Sequence, residues 1–219
     1  MLFALLFSCN NSSEKQSSPG QDSTAVKKET TAPARKTIVF FGNSITAGYG
    51  LQLSEAFPAL IQAKLDSAQL PYKVVNAGVS GETSSDGLSR IEWILRQPLD
   101  IFVLELGGND GLRGIPVSET TKNLQQIIDK VLMKYPSAKI VLAGMQVPPN
   151  MGKKYSNDFR QMFSELSKKN NIALIPFLLE GVGGEASLNL EDGIHPTAEG
   201  HQILAENTWA ILQPLVAAQ

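Results

Sequence analysis

Four short segments carry residues able to act together on a carbonyl group. Ser44 follows Thr37-Ile38-Val39-Phe40-Phe41, a β-branched and aromatic run with the composition of a buried strand, and Gly42 permits a sharp turn between them. Asn76-Ala77-Gly78-Val79-Ser80-Gly81-Glu82-Thr83 follows a second strand-like run and Gly107-Gly108-Asn109-Asp110 a third. Asp192-Gly193-Ile194-His195-Pro196 precedes the last helical pattern. Covalent catalysis by serine needs a hydroxyl, a base, a group that orients the base, and donors for the oxyanion. These segments offer all four: Ser44 as nucleophile, His195 as base and Asp192 to orient it. The N–H groups of Ser44 and Gly81 and the side-chain amide of Asn109 are the donors. Taken singly, each has a plainer reading. Ser44 and Asp192 can cap helices, Gly78 and Gly81 can serve turns, and Asn109 can close an Asx-turn. Their joint placement at successive strand ends favours catalysis, because open α/β sheets bind ligands outside the carboxyl ends of their strands. The second histidine, His201, falls inside the last helical run and is expected to meet a helix-surface partner or solvent.

The elements that must position these residues alternate along the chain. Strand patterns at 37–41, 72–76, 100–106, 138–144 and 172–176 are separated by helical patterns at 54–68, 84–96, 118–135 and 155–170. Residues 178–190 read as a loop with room for a short helix. A helix over 196–216 follows, with Pro196 suited to its first turn. This alternation predicts a mostly parallel sheet with helices on both faces, a three-layer α/β/α sandwich.

The chain of 219 residues is long enough for one domain with a sizeable core. A net charge of −2 gives no basic stripe for nucleic acid, and one cysteine cannot form an internal disulfide. No Cys/His cluster has zinc spacing. Residues 1–9 end in Leu6-Phe7-Ser8-Cys9, which looks like the close of a bacterial lipoprotein signal with Cys9 as the lipidation site. No Lys or Arg precedes that short apolar run, so we expect the true start codon to lie upstream. Residues 10–35 are polar with almost no large apolar side chain, the composition of a flexible tether. The globular domain is then 36–219. Nothing after the leader approaches the roughly 18 apolar residues of a membrane-spanning helix.

Together the four segments closely resemble the SGNH (GDSL) hydrolase family, nearest its thioesterase/lysophospholipase and arylesterase branch, over about residues 36–216. The matching blocks are Gly42-Asn43-Ser44-Ile45-Thr46-Ala47-Gly48-Tyr49, Asn76 through Ser84, Glu105 through Gly114, and Asp192 through Pro196. The resemblance implies a flavodoxin-like fold, a Ser44–His195–Asp192 triad, and an oxyanion hole from Ser44, Gly81 and Asn109. It implies neither metal nor organic cofactor. The expected activity is hydrolysis of small-molecule acyl esters or thioesters through an acyl-enzyme, by a lipid-anchored protein of the bacterial cell envelope, monomeric by preference. The alternatives are a carbohydrate acetylesterase of the same family and an inactive surface-tethered binding module. Asn43 stands where the family usually has Asp; asparagine keeps one acceptor and adds donors, altering hydrogen bonding and charge beside Ser44. The loop 110–116 is read as lining the acyl channel through Leu112 and Ile115, against the plainer reading of a connector.

Overall fold

The computed structural model describes residues 35–217, so the proposed lipidation site Cys9 and residues 10–34 lie outside the described residues. Five strands, β1 (Lys36–Gly42), β2 (Tyr72–Gly78), β3 (Ile101–Glu105), β4 (Lys139–Ala143) and β5 (Ala173–Ile175), form one parallel sheet in the order β2-β1-β3-β4-β5. The helices are α1 (Ser44–Ala47), α2 (Phe57–Ser67), α3 (Ser84–Ile94), α4 (Gly108–Leu112), α5 (Val117–Lys134), α6 (Lys153–Asn170) and α7 (Ala198–Ala217). α2 packs on α7, while α3, α5 and α6 pack side by side, which makes the expected three layers. Among the described residues no helix is long and apolar enough to cross a membrane.

The central strands show why the sheet is buried on both faces. Every residue of β3 is buried, as is β1 from Val39 to Gly42, whereas the edge strand β2 is only partly covered. A run without alternation is the mark of a parallel strand between two helix layers. Neighbouring side chains of β1 serve opposite layers. Phe40 meets Phe57 of α2 edge-on, with ring centroids 5.4 Å apart, while Phe41 approaches Gly87 of α3. Burying each such side chain contributes about 1.5–3 kcal/mol.

Three boundaries differ from the sequence reading, each for a local reason. Ala56 is extended and the chain from Leu51 onward turns, so α2 begins at Phe57. Pro196 pairs antiparallel with Asn189 instead of opening a helix, and Thr197 Oγ1 accepts from the Gly200 N–H at 3.2 Å ahead of α7. The loop 178–190, by contrast, is as expected, with one short helical turn, a 3-10 turn at Ala186–Leu188. Part of the expected connector after Asn109 is the helix α4.

His201 is the larger correction. It is buried, not at the surface, and its Nδ1 accepts the Phe57 N–H at 3.0 Å. The first N–H groups of a helix lack internal partners, and Ala56 has no side chain to cap α2. His201 supplies that cap from α7. Burial pushes its imidazole down to about 4, against the opposing pull of Glu55. The ring is therefore neutral when folded, and its contribution to stability is present above the ordinary value of 6.5 and is lost as pH falls toward 4. His201→Leu should cost about 1–3 kcal/mol in urea unfolding at pH 8, because the buried Phe57 N–H is left unpaired. It should also flatten the loss of stability between pH 6.5 and 4.

Candidate active site

The order β2-β1-β3 sends the chain away from β1 in one direction and brings it back to β3 on the other side. The carboxyl ends of β1 and β3 therefore flank the crevice where such sheets bind ligands. Ser44 begins α1 two residues beyond β1, after the cap Asn43, and Asn109 lies in the first turn of α4 beyond β3. His195 and Asp192 arrive on the loop before α7. That loop is pinned by the Leu190 N–H to the His195 carbonyl at 2.7 Å and by the Thr197 N–H to the Leu188 carbonyl at 2.9 Å.

Ser44 Oγ lies 2.9 Å from His195 Nε2 and 3.4 Å from Asn43 Oδ1. The shorter contact decides where the hydroxyl proton points, since O–H···O bonds weaken beyond about 3 Å. His195 Nδ1 lies 2.7 Å from Asp192 Oδ2. With Nδ1–H donating to the carboxylate, Nε2 is left as the acceptor for Ser44. Asp192 Oδ1 accepts the Ile194 N–H at 2.8 Å and the His195 N–H at 3.0 Å. These backbone bonds and the ring of His195 push the Asp192 carboxyl down to about 2, although its side chain is 38% exposed. The ring of Tyr49 covers His195 with centroids 4.5 Å apart.

Beneath the serine lies a buried carboxylate that sequence reasoning did not assign. Glu105 Oε1 accepts Asn43 Nδ2 at 2.7 Å, and Oε2 accepts the Asn43 N–H at 3.1 Å and Thr46 Oγ1 at 2.8 Å. Asn43 Oδ1 in turn caps α1 through the Ile45 N–H at 3.0 Å. Only a glycine fits at position 42, where a Cβ would stand 2.2 Å from Thr46 Oγ1 and 2.5 Å from Glu105 Oε2. The signal was present: Glu105 is the single charge in the run Ile101-Phe102-Val103-Leu104-Glu105-Leu106. Burial pushes its carboxyl up to about 7, while the hydrogen bonds from Thr46 and Asn43 pull the other way.

The segment around Gly81 is held from two sides. Asn109 Nδ2 donates to the Glu82 carbonyl at 2.9 Å and Arg113 Nη2 to the Gly81 carbonyl at 3.0 Å. Arg90 grips Glu82 bidentately at 2.5 and 2.6 Å, donates to the Ala77 carbonyl at 2.9 Å, and lies 4.0 Å over the Phe41 ring. Gly81 has φ of +84°, a conformation glycine adopts without strain. Asp110 fixes α4 by accepting the Ser84 N–H at 2.8 Å and Thr120 Oγ1 at 3.2 Å.

Ser44, Asn109 and His195 open onto a cleft of about 480 Å³, of which Leu112, Met145, Val147, Phe177 and Leu179 form much of the apolar wall. The loop 110–116 contributes Leu112 to this wall but not Ile115, which is half-buried with its carbonyl accepting Tyr155 Oη at 2.7 Å. Gly81 is exposed and also stands outside the residues lining the cleft. Met145, Val147, Phe177 and Leu179 follow β4 and β5, and nothing in their local sequence separates them from core residues. Among the described residues no three His, Cys, Asp or Glu side chains are grouped to hold a metal ion.

Residues 40–203 match the GDSL-like Lipase/Acylhydrolase family. The chain is 40% identical over 184 residues to the Pseudomonas aeruginosa protein named Esterase TesA, covering 84% of this chain and 90% of that one. It is 38% identical over 186 residues to the Escherichia coli (strain K12) protein named Thioesterase 1/protease 1/lysophospholipase L1, covering 84% and 87%. A crystal structure of the psychrotrophic esterase EstA from a Pseudoalteromonas species, inhibited by monoethylphosphonate, superposes with a TM-score of 0.78 at 32% identity, covering 83% and 99%. With the family match running from within the first strand into the last helix, the chain belongs to the GDSL-like lipase/acylhydrolase family.

Proposed function

We propose that this protein is a serine hydrolase of carboxylic esters or thioesters whose acyl group is a hydrocarbon chain. The observation that carries the reading is the unbroken series Asp192–His195–Ser44, with bonds of 2.7 and 2.9 Å, at the mouth of an apolar cleft. Ser44 Oγ attacks the carbonyl carbon as its proton passes to His195 Nε2. Asp192 holds the ring in the required tautomer and favours the imidazolium that forms. The carbonyl oxygen becomes an oxyanion that takes hydrogen bonds from the Ser44 and Gly81 N–H groups and from Asn109 Nδ2. Asn109 has a second amide hydrogen for this purpose beside the one given to Glu82. His195 then protonates the departing alcohol or thiol. Water, deprotonated by the same ring, releases the acid from Ser44.

The cleft wall favours an alkyl chain over the acetylated sugar of a carbohydrate esterase. The aligned series of three polar groups argues against an inactive binding module, which has no use for it. The names of the relatives, an esterase and a thioesterase/lysophospholipase, point the same way. We also propose that lipidation of Cys9 tethers the domain to the bacterial cell envelope, on the strength of the Leu6-Phe7-Ser8-Cys9 pattern.

A fluorophosphonate probe should label wild-type protein at Ser44, and Ser44→Ala should abolish both labelling and hydrolysis of p-nitrophenyl esters. Residual hydrolysis above about a tenth of wild type would exclude Ser44 as the nucleophile. Leu112→Ala should lower kcat/KM several-fold more for octanoyl than for acetyl esters, since each buried CH₂ contributes about 0.8 kcal/mol, whereas Ile115→Ala should leave that ratio unchanged. For the anchor, membrane fractionation of the expressed protein should find wild type with membranes and Cys9→Ser released. Equal partitioning of the two would rule the anchor out.

A further inference from the structure

The acyl-transfer steps leave one buried charge beside the serine without a task. Glu105 is 1% exposed, and its carboxylate receives the N–H and the side-chain amide of Asn43 and the hydroxyl of Thr46. We propose that Glu105 is a positioning residue for the nucleophile, and that it forms with Asn43 a donor–acceptor pair whose polarity can be reversed without loss of the site. The inference rests on the reading of Ser44 as nucleophile.

The Asn43 amide bridges two places. Its nitrogen donates to Glu105 at 2.7 Å, and its oxygen accepts the Ile45 N–H at 3.0 Å. The residues on either side of Ser44 are thereby tied to one carboxylate, with Thr46 tied to it as well. Turning the amide over would set NH₂ against the Ile45 N–H and the oxygen against the carboxylate, so only one orientation satisfies both ends. A carboxylate at position 43 would stand against that of Glu105, and one of the two would have to hold a proton, since like charges so close cannot both ionise. The amide removes that requirement. Glu105 then serves as an acceptor at both oxygens, and the turn that carries Ser44 is held 2.9 Å from His195 Nε2. Displacement of a reacting group by about 1 Å can cost 10²-fold in rate.

Three variants test the pair: Glu105→Gln, Asn43→Asp/Glu105→Gln, and Ser44→Ala as reference. In Glu105→Gln the new NH₂ faces a donor whichever way it turns. Its kcat should fall about 10- to 100-fold with KM within about twofold, and fluorophosphonate labelling should slow in parallel. In the double variant the glutamine oxygen accepts from the residue 43 N–H and Thr46, and its NH₂ donates to the new carboxylate. The other oxygen of that carboxylate keeps the Ile45 cap. This reversed pair should return kcat and labelling to within about fivefold of wild type. A folded Glu105→Gln with kcat within about twofold of wild type would overturn the proposal, as would a rise in KM at constant kcat. A reversed pair no better than Glu105→Gln would also overturn it. Should Glu105→Gln fail to fold, the double variant decides alone: folded and active supports the pair, unfolded or inactive overturns it. An active Ser44→Ala would instead refute the nucleophile itself, which separates the two failures.

Discussion

Parallel strands cannot be joined by hairpins, so every connection in this sheet is a crossover, and the strand order dictates where two crossovers part. In β2-β1-β3-β4-β5 they part between β1 and β3. The backbone that leaves β1 turns at Gly42 into Ser44, and the backbone that leaves β3 turns at Gly107 into Asn109. Ser44 and Asn109 thus face one crevice because of topology, not because of any attraction between them. The register makes Gly42 and Glu105 direct neighbours across the two strands, which is why a carboxylate on β3 can hold the turn that follows β1.

Rigidity at this crevice comes from buried polar bonds, while the charge pair of the triad lies nearer to water. Glu105 is enclosed, and breaking one bond to a buried charge leaves a group that nothing else can satisfy. Asp192 is 38% exposed, so solvent screens its Coulomb attraction to the imidazolium. Its larger contribution is geometric: the two backbone N–H groups that its other oxygen accepts fix the carboxylate against His195. His201 shows the opposite use of the same residue type. Enclosed between α2 and α7 and neutral, it accepts one N–H and moves no proton.

Most of the apolar cleft wall comes from the far side of the sheet. Met145 and Val147 follow β4, Phe177 and Leu179 follow β5, and Leu112 closes the wall from α4. The chemical groups therefore sit at the switch point, and the cleft extends across the ends of the last two strands. The apolar wall and the Ser44–His195 pair are thus supplied by different elements, so a wall residue can be replaced without touching Ser44.

Composition and spacing specify the elements and the candidate chemical groups at their ends. Apolar runs of strand length alternating with helical stripes required a parallel sheet, and polar residues at strand ends required a reason to be there. Ser44, His195, Asp192 and Asn109 were legible because each stands next to a run whose burial is written in its composition. Long-range packing settles the rest. His201 reads as an ordinary helical position until α7 packs on α2 and brings an unpaired N–H to it. Ile115 reads like Leu112 until the turn of α4 directs one residue into the cleft and the next apolar one away from it. The role of Glu105 depends on Asn43, sixty-two positions earlier, and on the strand pairing that joins them. Local pattern reports how a residue meets its own segment. Whether its polar atoms find partners depends on which distant backbone folding places beside them, and that information is not local.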